Sequence, residues 1–396
     1  MTSPTTSTCP ACAGSQLQAF HAERDIPTNS CLLLDSRDEA EGYPCGDLDL
    51  TFCHTCGFVF NASFDPALSE YSQRYEETQA FSGRFVEFAR DLAGRWVDKY
   101  DLAGRSVLEI GCGKGEFLTM MVEAGAGHGT GIDPGVHAER VDSPVADQLT
   151  WIADFYGPDY AHLAADAVVC RHTLEHIPDV GDFMRLVRRS IGDRTDTIVL
   201  FELPDVARVL DEIAFWDVYY EHCSYFTLGS LARLFRATGF EVLHLDVEYD
   251  DQYLIIEARP SETPAPGAPL PEEEDPASLV ERVDGFATGY AALHTEWLKR
   301  LAEVEADGGK TVIWGAGSKG VSFLTDLGRD AGIEYAVDIN PYKHGKFMAG
   351  TGQEIVGPEF LREYQPGMVV AMNPIYREEI GAELDRLGVD TQLVAV

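Results

Sequence analysis

From about Phe81 to Asp101 the apolar residues Phe85, Phe88, Ala89, Leu92 and Trp96 recur at helical spacing, the stripe of an amphipathic helix. Beyond it, to about Ala258, short apolar runs bounded by turn residues alternate with helical periodicity, the pattern of a parallel α/β sheet. The stretch 259–275 (RPSETPAPGAPLPEEED) has almost nothing to bury and predicts an exposed linker or loop. A helix is expected from Ala277 to about Glu305. Strand–helix alternation then resumes in TVIWGAG, EYAVDIN and MVVAMNP, which predicts a second, smaller Rossmann-like unit. The first 65 residues are rich in turns and cysteine, with little helical periodicity. The expected division is therefore 1–65, an α/β core over 66–258, a linker over 259–276 and a second α/β unit over 277–396. No solenoid period is present.

Composition narrows the class. A chain of 396 residues exceeds one ordinary domain, and 45% hydrophobic with 24% charged residues is typical of a globular protein. No apolar run reaches the roughly 20 residues needed to cross a bilayer. Met1 to Thr8 are polar, without a signal-peptide core, so a cytoplasmic location is expected. The net charge of −36 repels phosphate backbones and anionic lipid, which argues against nucleic acid and membrane partners. An anionic small molecule would need a local basic or helix-N-terminal pocket.

Four of the nine cysteines form two pairs, Cys9-Pro-Ala-Cys12 and Cys53-His-Thr-Cys56. A two-residue gap lets both thiolates of a pair point at one ion, and two pairs complete the tetrahedron that zinc prefers. Four protein ligands leave no open position, so the expected role is structural. Cys31 and Cys45, between the pairs, are weaker candidates.

Ser106-Val-Leu-Glu-Ile-Gly-Cys-Gly-Lys-Gly-Glu-Phe117 reads as a buried strand, a glycine turn and a helix start. Glu109 precedes Gly111, Gly113 and Gly115, and Asp133 closes a second strand about 20 residues on, where a carboxylate can accept both ribose hydroxyls. Asp154 and Phe155 offer an acid and a ring for an adenine, and His172 follows the fourth strand. A carboxylate beside the first glycine would face the pyrophosphate of a dehydrogenase cofactor. This series resembles the class I methyltransferase superfamily, whose cofactor, S-adenosylmethionine, has no pyrophosphate. The resemblance puts its methionine part at the glycine turn, its ribose at Asp133 and its adenine at Asp154.

Two polar clusters are expected at strand ends, Arg171-His172-Thr-Leu-Glu175-His176 and Tyr219-Tyr220-Glu221-His222-Cys-Ser-Tyr225-Phe226. Transfer of a methyl group to carbon needs a base, and histidine exchanges protons most readily near neutrality. With His176-Ile-Pro-Asp179 and the C-terminal Gly315-Ala-Gly-Ser-Lys-Gly320, the layout is similar to sugar C-methyltransferases, which act on nucleotide-linked deoxy-keto-sugars. The resemblance implies His222 as base, with His176 and Tyr219 stabilising an enolate and Glu221 orienting His222. It also implies Tyr75 closing over the site, Glu202 and Tyr220 lining the acceptor pocket, and Gly317 with Lys319 holding a diphosphate. Residues 26–37 and 43–47 depart from the family stretch, which leaves the acceptor open. The alternatives are an O- or N-methyltransferase of another metabolite, a dehydrogenase, or a non-catalytic zinc-containing binding protein.

Overall fold

The computed structural model describes residues 7–69, 76, 78–137, 141–261, 267–328 and 331–396. Its N-terminal part is a small antiparallel sheet of β1 (Leu17–Pro27), β2 (Cys45–Cys53) and β3 (Val59–Asn61). The central sheet comprises β4 (Ser106–Ile110), β5 (His128–Ile132), β6 (Leu149–Ile152), β7 (Ala167–Arg171) and β8 (Ile198–Pro204). A short strand β9 (Ser224–Tyr225) leaves the core to pair with β3, and β10 (Phe240–Glu248) and β11 (Tyr253–Pro260) return to the central sheet. Its order is β10-β11-β8-β7-β4-β5-β6, with β11 antiparallel to both its neighbours. The third sheet, wholly parallel, has the order β14-β13-β12-β15-β16, from β12 (Thr311–Trp314), β13 (Ile333–Val337), β14 (Glu354–Val356), β15 (Met368–Ala371) and β16 (Gln392–Ala395). No described helix is long and apolar enough to cross a membrane.

The helix expected from the stripe at Phe85 runs Gly83–Lys99, capped by the Ser82 hydroxyl, and buries Ala89, Leu92 and Trp96 against the central sheet. A 27-residue helix, Val280–Ala306, joins the two large sheets and packs Val283, Phe286, Trp297 and Leu301 into a core shared with the N-terminal sheet.

Within the segment 259–275, residues 267–269, 271, 272 and 275 are exposed, whereas Pro260, Glu273 and Glu274 are engaged with the core. The segment's first two residues finish β11, and its acidic end is bound down: Glu273 pairs with Arg236, while Glu274 accepts from Thr227 and from the Gly229 amide. Those two carboxylates staple the helix Leu228–Ala237, and Glu274 sits at its positive N-terminus. Composition alone hides this, because the bonded partners lie about 40 residues earlier.

Both large sheets reverse their winding beside their first strand, which opens a crevice at the carboxyl ends of the strands flanking the reversal. In the central sheet those strands are β4 and β7, and in the third sheet β12 and β15.

Candidate active site

The turn leaving β4 needs its glycines. Gly111, Gly113 and Gly115 all have φ between 51° and 85°, and a Cβ on Gly111 would collide with Thr173, one on Gly115 with Trp151. Asp133 accepts from the Gly113 amide at 3.0 Å and from Gly135 at 2.6 Å, so its carboxylate faces the glycine turn. Glu109 is 2% exposed and one of its oxygens has no partner; burial raises its pKa to about 8. Asp154 lies at the rim, its oxygens taken by the Tyr160 hydroxyl and the Phe155 amide, and the Phe155 ring stands exposed.

Thr173 closes over Gly111, and the short turn Leu174–His176 then carries Glu175 and His176 toward the segment before β9. One donor atom each of Glu175, His176 and His222 lies within 4.8 Å of the others. The rings of His176 and His222 meet edge to face at 4.7 Å, and Tyr219 stands 4.2 Å from His222. His176 Nδ1 donates to the Glu221 carbonyl at 3.0 Å. Burial, with His176, His172 and Lys319 nearby, pushes the His222 pKa well below its ordinary value, so its ring is neutral at pH 7.

Four site expectations are corrected by position. Glu221 does not face the His222 ring; its carboxylate takes Ser30, Asn29 and Ser318, tying the segment before β9 to the N-terminal part and the third sheet. Glu202 is opposite Arg171 in the β7–β8 register, forms a two-point ion pair with it (2.7 and 2.9 Å) and accepts from His172, leaving its carboxylate no surface for an acceptor. Tyr220 points away from Tyr219: its ring packs against Phe64, and its hydroxyl takes the Asp65 amide. Lys319 is no free cation for a diphosphate, because it pairs with Asp217 at 2.8 Å and reaches Gln252 at 3.4 Å. Gly317 caps the helix Ser318–Leu327 with no side-chain cap. His172 (φ 47°) stays beside the crevice, held by Glu202 at 2.9 Å; burial opposes its charge, but Glu175 and Glu202 outweigh it and raise its pKa to about 9. Tyr75 lies outside the described residues.

In the core that also holds Leu174 and Phe226, Cys9 Sγ is 3.7 Å from Cys56 Sγ, Cys12 Sγ is 3.7 Å from Cys53 Sγ, and all four sulfurs lie within 4.8 Å of one another. A tetrahedron of sulfurs bonded at about 2.3 Å has edges of about 3.8 Å, so the four fit one zinc ion. Cys31 instead lies by Ser318, and Cys45 is exposed, bonded to the Tyr43 carbonyl.

Residues 82–245 match the family model of a methyltransferase domain, and residues 267–394 that of the C-methyltransferase C-terminal domain. The chain is similar to the C-methyltransferase NovU of Streptomyces niveus, 27% identical over 88% of this chain and 85% of that one. The chain is an S-adenosylmethionine-dependent methyltransferase that carries a C-methyltransferase C-terminal domain. A shorter likeness, 33% identical, joins 25% of this methyltransferase to 46% of the ubiquinone biosynthesis O-methyltransferase of Pseudomonas aeruginosa UCBPP-PA14. Glu175 is the group that sequence reasoning passed over. Its signal was its place between two histidines, but the segment reads equally well as a wall of the cofactor pocket.

Proposed function

We propose that this methyltransferase alkylates the carbon beside the ketone of a nucleotide-linked sugar, with His222 as the base that takes the carbon's proton. The observation that carries the reading is a neutral, buried His222 beside Tyr219 and His176, the latter on the short turn that follows Thr173 where it covers Gly111. The acceptor class rests on the resemblance of His176-Ile-Pro-Asp179 and the Tyr219–Phe226 segment to sugar C-methyltransferases.

S-Adenosylmethionine, when bound, supplies a methyl group already activated on a sulfonium sulfur. Glu109, the Gly111–Gly115 turn and Asp133 would hold it, the carboxylates facing its ammonium and its ribose. His222 takes the proton from the acceptor carbon, a general-base step typically contributing about 10² to 10⁴ in rate. A base of lowered pKa needs help from the acceptor side, where the enolate oxygen gains charge. Tyr219 suits that task, since its hydroxyl makes no hydrogen bond among the described residues and burial keeps it protonated. His176, its Nδ1 committed to the Glu221 carbonyl, sets its ring edge to face with His222 at 4.7 Å, beside the same space.

Cys9, Cys12, Cys53 and Cys56 would hold a structural zinc. Its place in the fold links it to the site: β2 carries Cys53, β2 pairs with β3, and β3 with β9, directly after His222 and Cys223. Metal analysis should find about one zinc per chain, and its removal should lower both melting temperature and turnover.

The test is incubation with methyl-¹³C cofactor and a panel of nucleotide-linked keto-sugars. The label should appear on carbon beside the ketone, and His222→Gln should remove most turnover while cofactor affinity stays within about twofold. Label on oxygen or nitrogen, or near-normal turnover by His222→Gln, overturns the reading.

A further inference from the structure

Glu175 is 2% exposed, and neither of its carboxylate oxygens accepts a hydrogen bond among the described residues. Leaving such a group unsatisfied is costly, so its retention calls for a partner that forms during function. The candidates are few. Glu175 Oε1 lies 3.7 Å from His172 Nδ1 and 3.9 Å from His222 Nε2, and the carboxyl lines a small cavity with Asp205, Asp217, His222, Ser224 and Tyr225. Glu221, next to His222 in sequence, is committed to Asn29, Ser30 and Ser318. The ring of His222 itself makes no hydrogen bond among the described residues, and Glu175 is the only carboxylate within 4 Å of it there.

Arg171, Glu202, His172 and Glu175 follow one another with alternating sign, and His172 is the cation between the two carboxylates. The row sums to zero before His222 takes a proton, and Glu175 stands at its end as counter-ion for the imidazolium.

We propose that Glu175 is the positioning residue of His222: its carboxylate takes the Nε2–H, fixing the tautomer that leaves the lone pair on Nδ1 for the acceptor. It rests on His222 being the base. The acceptor C–H bond breaks, its proton goes to Nδ1, and its electron pair stays with the acceptor to form the new C–C bond as the methyl leaves sulfur. The imidazolium, held by Glu175, then returns the proton to solvent. The 3.9 Å gap closes to hydrogen-bond length when the site is loaded, as catalytic contacts commonly do.

The test reads the tautomer of His222 in the full-length protein, labelled with ¹⁵N in the histidine rings and saturated with S-adenosylhomocysteine. Two-bond ¹H–¹⁵N correlations are recorded, with His222→Gln identifying the His222 signals. The wild type should show a neutral ring with hydrogen on Nε2. Glu175→Leu, which removes the acceptor at similar volume, should lose that preference and lower kcat about 100-fold with the cofactor KM within twofold. Glu175→Gln, which keeps an acceptor oxygen, should retain the tautomer with an intermediate kcat. Hydrogen on Nδ1 in the wild type, or an unchanged His222 pattern in folded Glu175→Leu, overturns the proposal. If Glu175→Leu does not fold, the wild-type tautomer decides alone. The spectrum needs no acceptor: the tautomer result stands even if no keto-sugar is methylated, which would overturn only the acceptor class.

Discussion

Two glycine turns, Gly111–Gly115 after β4 and Gly315–Gly320 after β12, leave the first strands of two similarly wound sheets. Their frames agree closely. Gly111 N donates to Ile132 O and Gly315 N to Val337 O, both at 2.8 Å, and each second strand is followed by an aspartate, Asp133 or Asp338. Their occupants differ. Two residues before Gly111 stands the buried carboxyl of Glu109, and at the same place before Gly315 stands Ile313. Among the described residues Asp133 takes only backbone amides, whereas Asp338 accepts from Ala316 N and Asn340 N and also pairs with Lys343 at 3.3 Å, which in turn bonds the Ala316 carbonyl. Lys343 thus plugs the second turn from within, while Ser318 and Lys319 face outward onto Glu221, Asp217 and Gln252. On the proposed reading the same local geometry serves a cofactor in one sheet, and in the other it makes a domain contact. What fills the turn, more than the turn itself, decides between them.

The largest expected contrast comes from one methyl group. Gly111→Ala adds a clash with Thr173 to a left-handed backbone and should weaken cofactor binding at least about 100-fold by calorimetry. Gly317→Ala, where a Cβ meets open space, should leave it within about twofold. Equal effects would erase the distinction between the turns.

The aspartates give the next contrast. Asp133→Asn should raise the cofactor Kd about 10- to 100-fold with little loss of stability. Asp338→Asn should do the reverse, costing about 3 kcal/mol by leaving the Lys343 ammonium buried and unpaired, with cofactor Kd unchanged. Denaturant unfolding and calorimetry separate the two.

The smallest effect is a proton. Glu109, raised to about 8 by burial, is mostly protonated at pH 7 in the free protein. Because its folded pKa lies above the ordinary 4.5, its contribution to stability is full below pH 4.5 and is lost as pH rises through about 8. A cofactor ammonium beside it favours the carboxylate, so binding at pH 7 should release about one proton and tighten toward pH 8. Calorimetry in buffers of different ionisation enthalpy measures this, and Glu109→Gln should abolish the release.

The α/β architecture was legible because periodicity and glycine turns are local signals, and Ser106–Phe117 carries strand, turn and helix start in twelve residues. Each Cys-x-x-Cys pair is a local signal too, and the fold brings the two pairs together. The errors fall where side-chain direction depends on a distant element. Tyr219 and Tyr220 are neighbours of like chemistry, yet one faces His222 and the other sits beneath Gly46 of β2. Glu202 looked like a pocket acid until the β7–β8 register set Arg171 opposite it. Lys319 looked like a phosphate cation until Asp217, about 100 residues away, claimed it. Glu221 and Glu175 exchanged places as neighbours of His222 because adjacency in the chain is not adjacency in space.

The central claim is that one crevice, at β4 and β7, holds the methyl donor while its counterpart in the third sheet is internally filled. A crystal structure of the protein soaked with S-adenosylhomocysteine tests it most directly. The account predicts density against Gly111–Gly115 with the ribose hydroxyls on Asp133, and Lys343 still on Asp338. Nucleoside density at Gly315–Gly320, or an Asp133 carboxylate turned away from the ribose, would contradict it.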